Sequence, residues 1–477
     1  MEKYTTVEGL LSTFGSIAPV RGSYLLNETR LKCRQELPKH AVWTREELEP
    51  EQGRCVLFVA LSYRWLSKEH SDPDGFHLNI VQHMMRRMME EDDGDATMDF
   101  AMFIDFSSLF QGERTQEQND LFQKGLRESN VWYASTQAMS WLQRRLPHGF
   151  SGAAYEDSGW CFCEAAISSA IKSSFYRCDL SQDAGEDALG LNFRDVTTGR
   201  MVPLTPERMG QILDNDKNFT NKKEDGPKVK RIYQEFFAAT ASETTSLDFE
   251  RSGWHATHVG DLVEILPWFS NLQMLSLTEN PIGVAGAQVL ASALKTNSTI
   301  TSLGLSDCGV GDGGAHALAE ALKVNHTIKS LDLDKNSIAV EGTHALTDAL
   351  KDRPTMEELH LGLNRVGDEG ARAIADVLKS NNGTYSTMFN LELWQNGIGD
   401  GGALALAAAL KGNDTISVDL NLLGNDIGEA GALGFADAVP VAGRVVVRLG
   451  TVLHVSSEGR RVLGACRHIT CDLRPAE

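Results

Sequence analysis

Leu331-Asp-Leu-Asp-Lys-Asn336 opens a unit that occurs six times in the second half of the chain. The Leu-x-Leu-x-x-Asn core stands at Leu275/Leu277/Asn280, Leu303/Leu305/Cys308, Leu331/Leu333/Asn336, Leu359/Leu361/Asn364, Leu391/Leu393/Asn396 and Leu420/Leu422/Asn425. The Asn-type positions are 28, 28, 28, 32 and 29 residues apart, and the long step holds an insertion around Thr384–Met388. After each core come Ile-Gly or a variant, then Gly-Ala, then Ala-Leu-x-x-Ala-Leu-Lys, and Gly286, Gly314, Gly342, Gly370, Gly402 and Gly431 keep the same steps. Each unit therefore predicts a short strand, a turn and an amphipathic helix. The leucines at alternate strand positions point inward, the Asn bonds backbone groups of the neighbouring turn, and the Gly-Ala pair lets helix and strand approach closely.

This pattern resembles the leucine-rich repeat, in the long, helix-bearing form of the ribonuclease-inhibitor type. It predicts an α/β solenoid of horseshoe shape over residues 255–443, with six full units. Asp261–Phe269 reads as a helix from a leading half-repeat, and Arg444–Leu453 as a seventh strand without its Asn inside a C-terminal cap, 444–477. Strand alternation assigns two columns to the concave face. One is Ser276, Gly304, Asp332, His360, Glu392 and Asn421; the other is Thr278, Ser306, Asp334, Gly362, Trp394 and Leu423. Most of this is what a solvated polar face looks like. Trp394 is a candidate anchor, and with Asp332, Asp334, His360 and Glu392 around it the expected ligand is a protein partner of basic character.

Working outward, residues before the repeats read differently. Cys55-Val-Leu-Phe-Val-Ala-Leu61 is a continuous apolar run suited to a buried parallel strand. Leu78–Met89 has helical spacing with a Met stripe, read as core. Phe100–Ile104 is a second strand ending at Asp105, Glu117–Arg127 a helix, and Val131-Trp-Tyr133 a third strand, continuing through Ala138–Leu142. A Gly- and Pro-containing loop leads to Ser158-Gly-Trp-Cys-Phe-Cys-Glu164, where Glu164 begins a helix. Strands and helices in alternation predict a parallel-sheet α/β domain over 31–180, preceded by an extension, 1–30, with ligands bound beyond the carboxyl ends of the strands. Residues 181–254 form a connector with helices that pack back on that domain. The connector opens polar and Gly-containing, Asp183–Gly190, and the run Asp214–Asp225 is read as loop. Thr205 caps a helix that starts at Pro206, and a further helix covers Lys228–Phe237.

Ala60-Leu-Ser-Tyr-Arg-Trp65, Phe103-Ile-Asp-Phe-Ser-Ser-Leu-Phe-Gln-Gly112 and Trp160-Cys-Phe-Cys-Glu164, in this order, resemble the signature segments of Toll/interleukin-1 receptor-like (TIR) domains. They equally resemble the related fungal HET domains, and are most similar to a TIR-like group common in algae and protists; the resemblance covers roughly residues 30–240. It implies a flavodoxin-like sheet and one of two functions. In some TIR domains a glutamate of the Trp-Cys-x-x-Glu segment cleaves NAD at the nicotinamide–ribose bond. Glu164 matches that position, with Ser62, Tyr63, Arg64, Asp105 and Trp160 as pocket residues, and NAD would then be a substrate, with no cofactor. Others self-associate to pass a signal, and the chain would then be an adaptor acting only by protein–protein contacts. Glu164 near a helix start also has a plain reading, since a carboxylate there is favourable for the helix dipole alone.

Bulk properties narrow the rest. A formal charge of −20 and a pI near 5.1 disfavour nucleic acid and anionic membranes. The sequence offers no signal peptide and no spanning segment, its eight cysteines are scattered without metal spacing, and a cytoplasmic, reduced protein without a metal site is expected. There is no Gly-x-x-x-x-Gly-Lys-Ser/Thr motif and hence no nucleotide-driven switch between the halves. His255 and His258 have no third ligand and read as a surface pair.

Overall fold

The computed structural model describes residues 1–48, 55–91, 98–182, 200–351, 353, 355–380, 389–411, 417–438, 445–466 and 469–475. The acidic run after Glu91, the segment Asp183–Gly190 and the insertion Thr384–Met388 lie outside them. The chain divides into two compact units, Met1–Asp248 and Phe249–Glu477.

In the first unit the strands are β1 (Val20–Arg21), β2 (Val56–Tyr63), β3 (Asp99–Ile104), β4 (Ala138–Gln143), β5 (Arg177–Asp179) and β6 (Ser246–Asp248). The first five form one sheet in the order β1-β3-β2-β4-β5. β2 to β5 are parallel, and β1 is an antiparallel edge, with Val20 opposite Met102. The parallel strands thus run in the doubly wound order 2-1-3-4, which places a crevice where the order reverses, between β2 and β4. Because β1 pairs with β3, and Tyr4 and Leu10 of α1 (Glu2–Thr5) and α2 (Val7–Leu11) are buried, residues 1–30 are part of this unit rather than an extension.

The apolar run of β2 is covered on both faces. On one side Val59 and Leu61 meet Leu78, Val81, Met84 and Met85 of α4 (Phe76–Glu91), with α3 (Gly22–Leu25) nearby, so the Met stripe is core. On the other lie α6 (Gln116–Ala134) and α7 (Gly159–Ala170), while the short α5 (Asp105–Ser108) follows β3. One expected strand is corrected here: Val131-Trp-Tyr133 is the last turn of α6, and the third parallel strand is Ala138–Gln143 alone. All three residues are buried, Trp132 between Phe58 and Phe103 with its indole N–H on Thr13 Oγ1 at 3.0 Å. A helix end enclosed on all sides loses its 3.6-residue periodicity and then reads like a strand. In the connector, α8 (Pro206–Asn215) starts at the Thr205 cap, and α9 (Lys222–Thr240) begins earlier than expected, inside the run read as loop.

The second unit begins with α10 (Ala256–Ile265), where His258 Nδ1 accepts from the His255 N–H at 3.1 Å, so this His pair closes a helix start. Then β7 (Met274–Ser276), β8 (Ser302–Gly304), β9 (Ser330–Asp332), β10 (Glu358–His360), β11 (Phe389–Glu392) and β12 (Val418–Asn421) alternate with α11 (Gly283–Leu294), α12 (Gly311–Leu322), α13 (Val340–Leu350), α14 (Gly367–Ser380), α15 (Asp400–Leu410) and α16 (Glu429–Ala438). Neighbouring strands are parallel and in repeat register, Leu303 beside Leu331 and Leu359 beside Leu391. The end is more than one strand: β13 (Val445–Val455), α17 (Ser457–Ala465) and β14 (Ile469–Pro475) continue the sheet. The Asn side chains tie turn to turn. Asn336 Nδ2 donates to Leu305 O at 2.7 Å, and its Oδ1 accepts from Cys308 and Val310 N–H groups at 3.0 Å. A Cβ on Gly314 would stand 2.6 Å from Val310 and 2.9 Å from Ala287, which is why that position stays bare.

Candidate functional site

The ends of β2 and β3, the loop after β4 and the first turns of α7 line a cavity of about 770 Å³. Tyr63 and Arg64 come from the end of β2, Asp105 from the end of β3, Phe150 and Gly152 from the loop after β4, and Trp160, Cys161 and Glu164 from α7. The connector closes another wall with Asn218, Phe219 and Lys228. Its docking depends on Gly159: the Gly159 N–H donates to Asn218 O at 2.9 Å, and a Cβ there would lie 2.0 Å from the Phe219 ring.

Helix α7 starts at Ser158, whose hydroxyl accepts from the Cys161 N–H. Glu164 therefore lies in the second turn, past the reach of the orphan N–H groups, and does not serve as the helix cap. It is held by the sheet instead. Ser62, fully buried on β2, donates to Glu164 Oε2 at 2.6 Å, and the Ser62 and Tyr155 hydroxyls are 2.6 Å apart. Burial, and after it the charge of Asp105, push the Glu164 carboxyl up to about 8, against the opposing effect of the Ser62 and Tyr133 hydroxyls. At neutral pH the group is mostly a neutral acid. Asp105 is raised too, chiefly by burial, although the Trp65 indole N–H at 2.8 Å and the Phe106 N–H at 2.6 Å favour its charged form.

Arg64 is positioned through its backbone. His77 Nε2 donates to Arg64 O at 2.9 Å, because Gln143 donates to His77 Nδ1 at 3.1 Å and fixes the tautomer. Asp72 in turn receives the His77 and Leu78 N–H groups and caps α4. Burial holds the Cys161 and Cys163 thiols above their ordinary range, so both act as packing groups, not nucleophiles.

The structure thus brings Ser62, Tyr63, Arg64, Asp105, Trp160 and Glu164 together, with Ser62 behind Glu164 and the others on the wall. Sequence reasoning missed Tyr155, which sits in an irregular loop where no periodicity marks it. Phe219 was missed as well, because it reaches the cavity from the connector, far along the chain from the other wall residues.

In the second unit the concave columns form a second candidate surface. Ligand atoms of Asp332, Asp334 and His360 lie within 4.8 Å of one another, although no metal site was expected there; a loose acidic cluster of this kind does not by itself make one. Asp334 Oδ1 accepts from the Gly362 N–H at 2.6 Å, and burial and the charge of Asp332 push its carboxyl up to about 6. Trp394 lies over Gly362, where a Cβ would be 2.0 Å from its indole nitrogen, and is half-buried. Glu392 is engaged, accepting from Asn421 Nδ2 at 2.5 Å with Arg448 3.9 Å away.

The TMOD/LMOD leucine-rich domain family matches residues 270–394. The second unit is a leucine-rich-repeat array. Among solved structures, the leiomodin-1 actin-binding site 2 is similar at 27% identity, covering 28% of this chain and 76% of that one, with a TM-score of 0.25. The Rad7–Elc1 complex of yeast is similar at 15% identity over 47% of this chain and 60% of that one, with a TM-score of 0.29. No curated protein matches the chain. Among the described residues no helix is long and apolar enough to cross a membrane.

Proposed function

We propose that the first unit is TIR-like and hydrolyses NAD at the nicotinamide–ribose bond, and that the leucine-rich repeats bind a protein partner or restrain this activity. The carrying observation is Glu164: a half-buried carboxyl on the wall of a cavity beyond the carboxyl ends of parallel strands, held from behind by Ser62. The nicotinamide ring of NAD is cationic. Its arrival beside Glu164 draws the carboxyl toward its charged form by Coulomb attraction. The C1′–N bond then breaks with its electron pair leaving on nicotinamide, the ionised carboxylate stabilises the oxocarbenium character on ribose, and water adds to C1′ with release of a proton. Arg64 supplies positive charge at the cavity wall for the diphosphate, and Trp160 an aromatic face. The free thiols, such as Cys33, Cys55 and Cys466, suit a reducing, cytoplasmic setting.

On the repeats, the acidic group Asp332, Asp334 and Glu392 beside Trp394 suits a basic protein partner, and self-association through the first unit would cluster the cavities. The decisive experiment incubates the purified chain with NAD, alone and artificially clustered, beside Glu164→Ala. Nicotinamide release is expected to fall at least ~100-fold in the variant. Release in neither condition, or equal release by the variant, rejects the enzyme and leaves an adaptor that acts by protein binding alone.

A further inference from the structure

The hydroxyl chain behind Glu164 has a direction. Tyr155 is buried, and burial holds its phenol far above the usual range, so it keeps its proton at any working pH. Its hydroxyl has one hydrogen-bond partner among the described residues, Ser62 Oγ at 2.6 Å. A phenol that must place its proton and has one acceptor donates to that acceptor. Ser62 has a single proton of its own, and with its oxygen receiving from Tyr155 that proton goes to Glu164 Oε2 at 2.6 Å. The Tyr133 hydroxyl, which favours the charged form of Glu164, also has Leu61 O as an acceptor at 3.1 Å.

We propose that Tyr155 is a positioning residue: by donating to Ser62 it commits the Ser62 proton to Oε2 of Glu164 and leaves Oε1 as the atom that meets a ligand in the cavity. Oε1 is then a hydrogen-bond donor while Glu164 is neutral and an acceptor once it is ionised. The inference rests on Glu164 as the working group of the cavity and deepens that reading, but it does not depend on NAD being the substrate. Tyr155 is itself placed by local structure. Its carbonyl accepts the Ser158 N–H at 3.1 Å in the turn before α7, and the Arg144 guanidinium lies 5.7 Å from its ring centroid, with Arg144 Nε 3.3 Å from Asp179 Oδ2.

Several groups bear on the charge of Glu164 from the elements around it. Asp105 from α5 opposes ionisation, while Ser62 from β2 and Tyr133 from α6 favour it. Cys161 and Cys163 on its own helix stay protonated, and Arg64 and Lys228 stand on the cavity wall. Within this set the chain predicts an order of effects. Removing Ser62 takes away a donor to the carboxylate; removing the Tyr155 hydroxyl takes away only the polarisation of that donor.

The experiment follows the Glu164 carboxyl carbon by NMR in full-length, 13C-glutamate-labelled protein, the resonance being assigned by its loss in Glu164→Gln. In Tyr155→Phe the titration midpoint is expected to rise by roughly half a pH unit, and in Ser62→Ala by about one. In the double variant Tyr155→Phe adds nothing to Ser62→Ala, because it acts through that hydroxyl. An unchanged or lowered midpoint in Tyr155→Phe overturns the proposal, as does a Tyr155→Phe shift that persists without Ser62. Circular dichroism confirms that each variant is folded. If the wild type releases no nicotinamide from NAD and yet the midpoints move in this order, the substrate reading fails and the positioning role stands.

Discussion

The ladder asparagines of the repeats and Glu164 of the first unit are satisfied in opposite ways. In the repeats each ladder Asn is fully used: Asn364 Nδ2 donates to Leu333 O at 2.9 Å and Leu361 O at 3.0 Å, and Oδ1 accepts from Asn336 N at 3.0 Å and Ile338 N at 2.9 Å. In the first unit Glu164 has one short donor, Ser62, and faces a second acid, Asp105. A stacked scaffold must satisfy the polar group that every unit repeats, since an unsatisfied one would recur with the repeat. A single site can carry an unbalanced carboxyl, because a cationic ligand can supply the missing interaction. The contrast predicts that polar substitutions will destabilise the repeats and, at Glu164, stabilise the fold while removing function.

The largest effect is on the pH dependence of the first unit. Glu164 has a folded-state pKa of about 8, above the ordinary carboxyl value near 4.5. The folded chain therefore holds a proton that the unfolded chain releases. The resulting stability is complete below pH ~4.5, is lost as pH rises through about 8, and is flat beyond. The full loss is on the order of 5 kcal/mol. Glu164→Gln has no proton to lose here, so its stability relative to wild type should climb between pH ~5 and ~8. Denaturant titrations at several pH values check this through the transition of the first unit. A constant difference across that window would mean that the carboxyl titrates normally.

A substitution at a ladder Asn should act in the reverse sense, and no titrating group is removed by it. Asn364→Ala removes two donors to buried carbonyls and leaves the Asn336 and Ile338 N–H groups without their acceptor. A loss of about 3 kcal/mol in the second unit is expected, read as a lower denaturation midpoint; a loss under ~1 kcal/mol would show that water replaces the side chain. Smaller is Gly362→Ala. Its Cβ would stand 2.0 to 2.5 Å from three indole atoms of Trp394, so the ring must swing away, at about 1–2 kcal/mol. A red-shifted tryptophan emission reports the swing. Gly304→Ala is its control, because the nearest atoms there are 3.3 Å away and belong to Ser and Thr side chains.

How much of this was legible in the sequence follows from what repeats and what does not. The 28-residue step wrote the strand–turn–helix unit and the Asn ladder directly, because each unit meets the same neighbours. The β2 run was legible as a continuous apolar stretch, Ser62–Arg64 and Asp105 because strand ends carry them, and Trp160–Glu164 only through its resemblance to a TIR segment. The end of α6 was not, since full enclosure erased its period. Tyr155 was not, since its role comes from a contact across 93 residues out of an irregular loop. The depth of Glu164 in α7 was misread because Gly159-Trp160 looks like loop; the Ser158 cap is recognisable only with its hydrogen bond in view.

One regularity of the repeats escaped the pattern altogether, and it carries the smallest prediction. The residue before the ladder position has a left-handed backbone in five units: Glu279, Asp307, Lys335, Leu363 and Gln395, with φ between 51° and 55°. In the sixth unit that position is Gly424, with φ 70°. A left-handed conformation costs an L-residue roughly 1–2 kcal/mol, of which glycine recovers part, less its own greater unfolded-state entropy of ~0.5–1 kcal/mol. Lys335 is the clean place to test this. It is exposed, and its backbone N–H donates to Gly362 O at 2.8 Å whatever the side chain. Glu279, by contrast, pairs with Arg251 at 2.5 Å and would lose that contact. Lys335→Gly should therefore stabilise the second unit by about 0.5 kcal/mol, visible as a small rise in its denaturation midpoint. A fall instead would mean that the Asn336 and Asn364 bonds on either side of the turn already hold this backbone in place, so that the added freedom of glycine in the unfolded chain outweighs the strain it relieves in the fold.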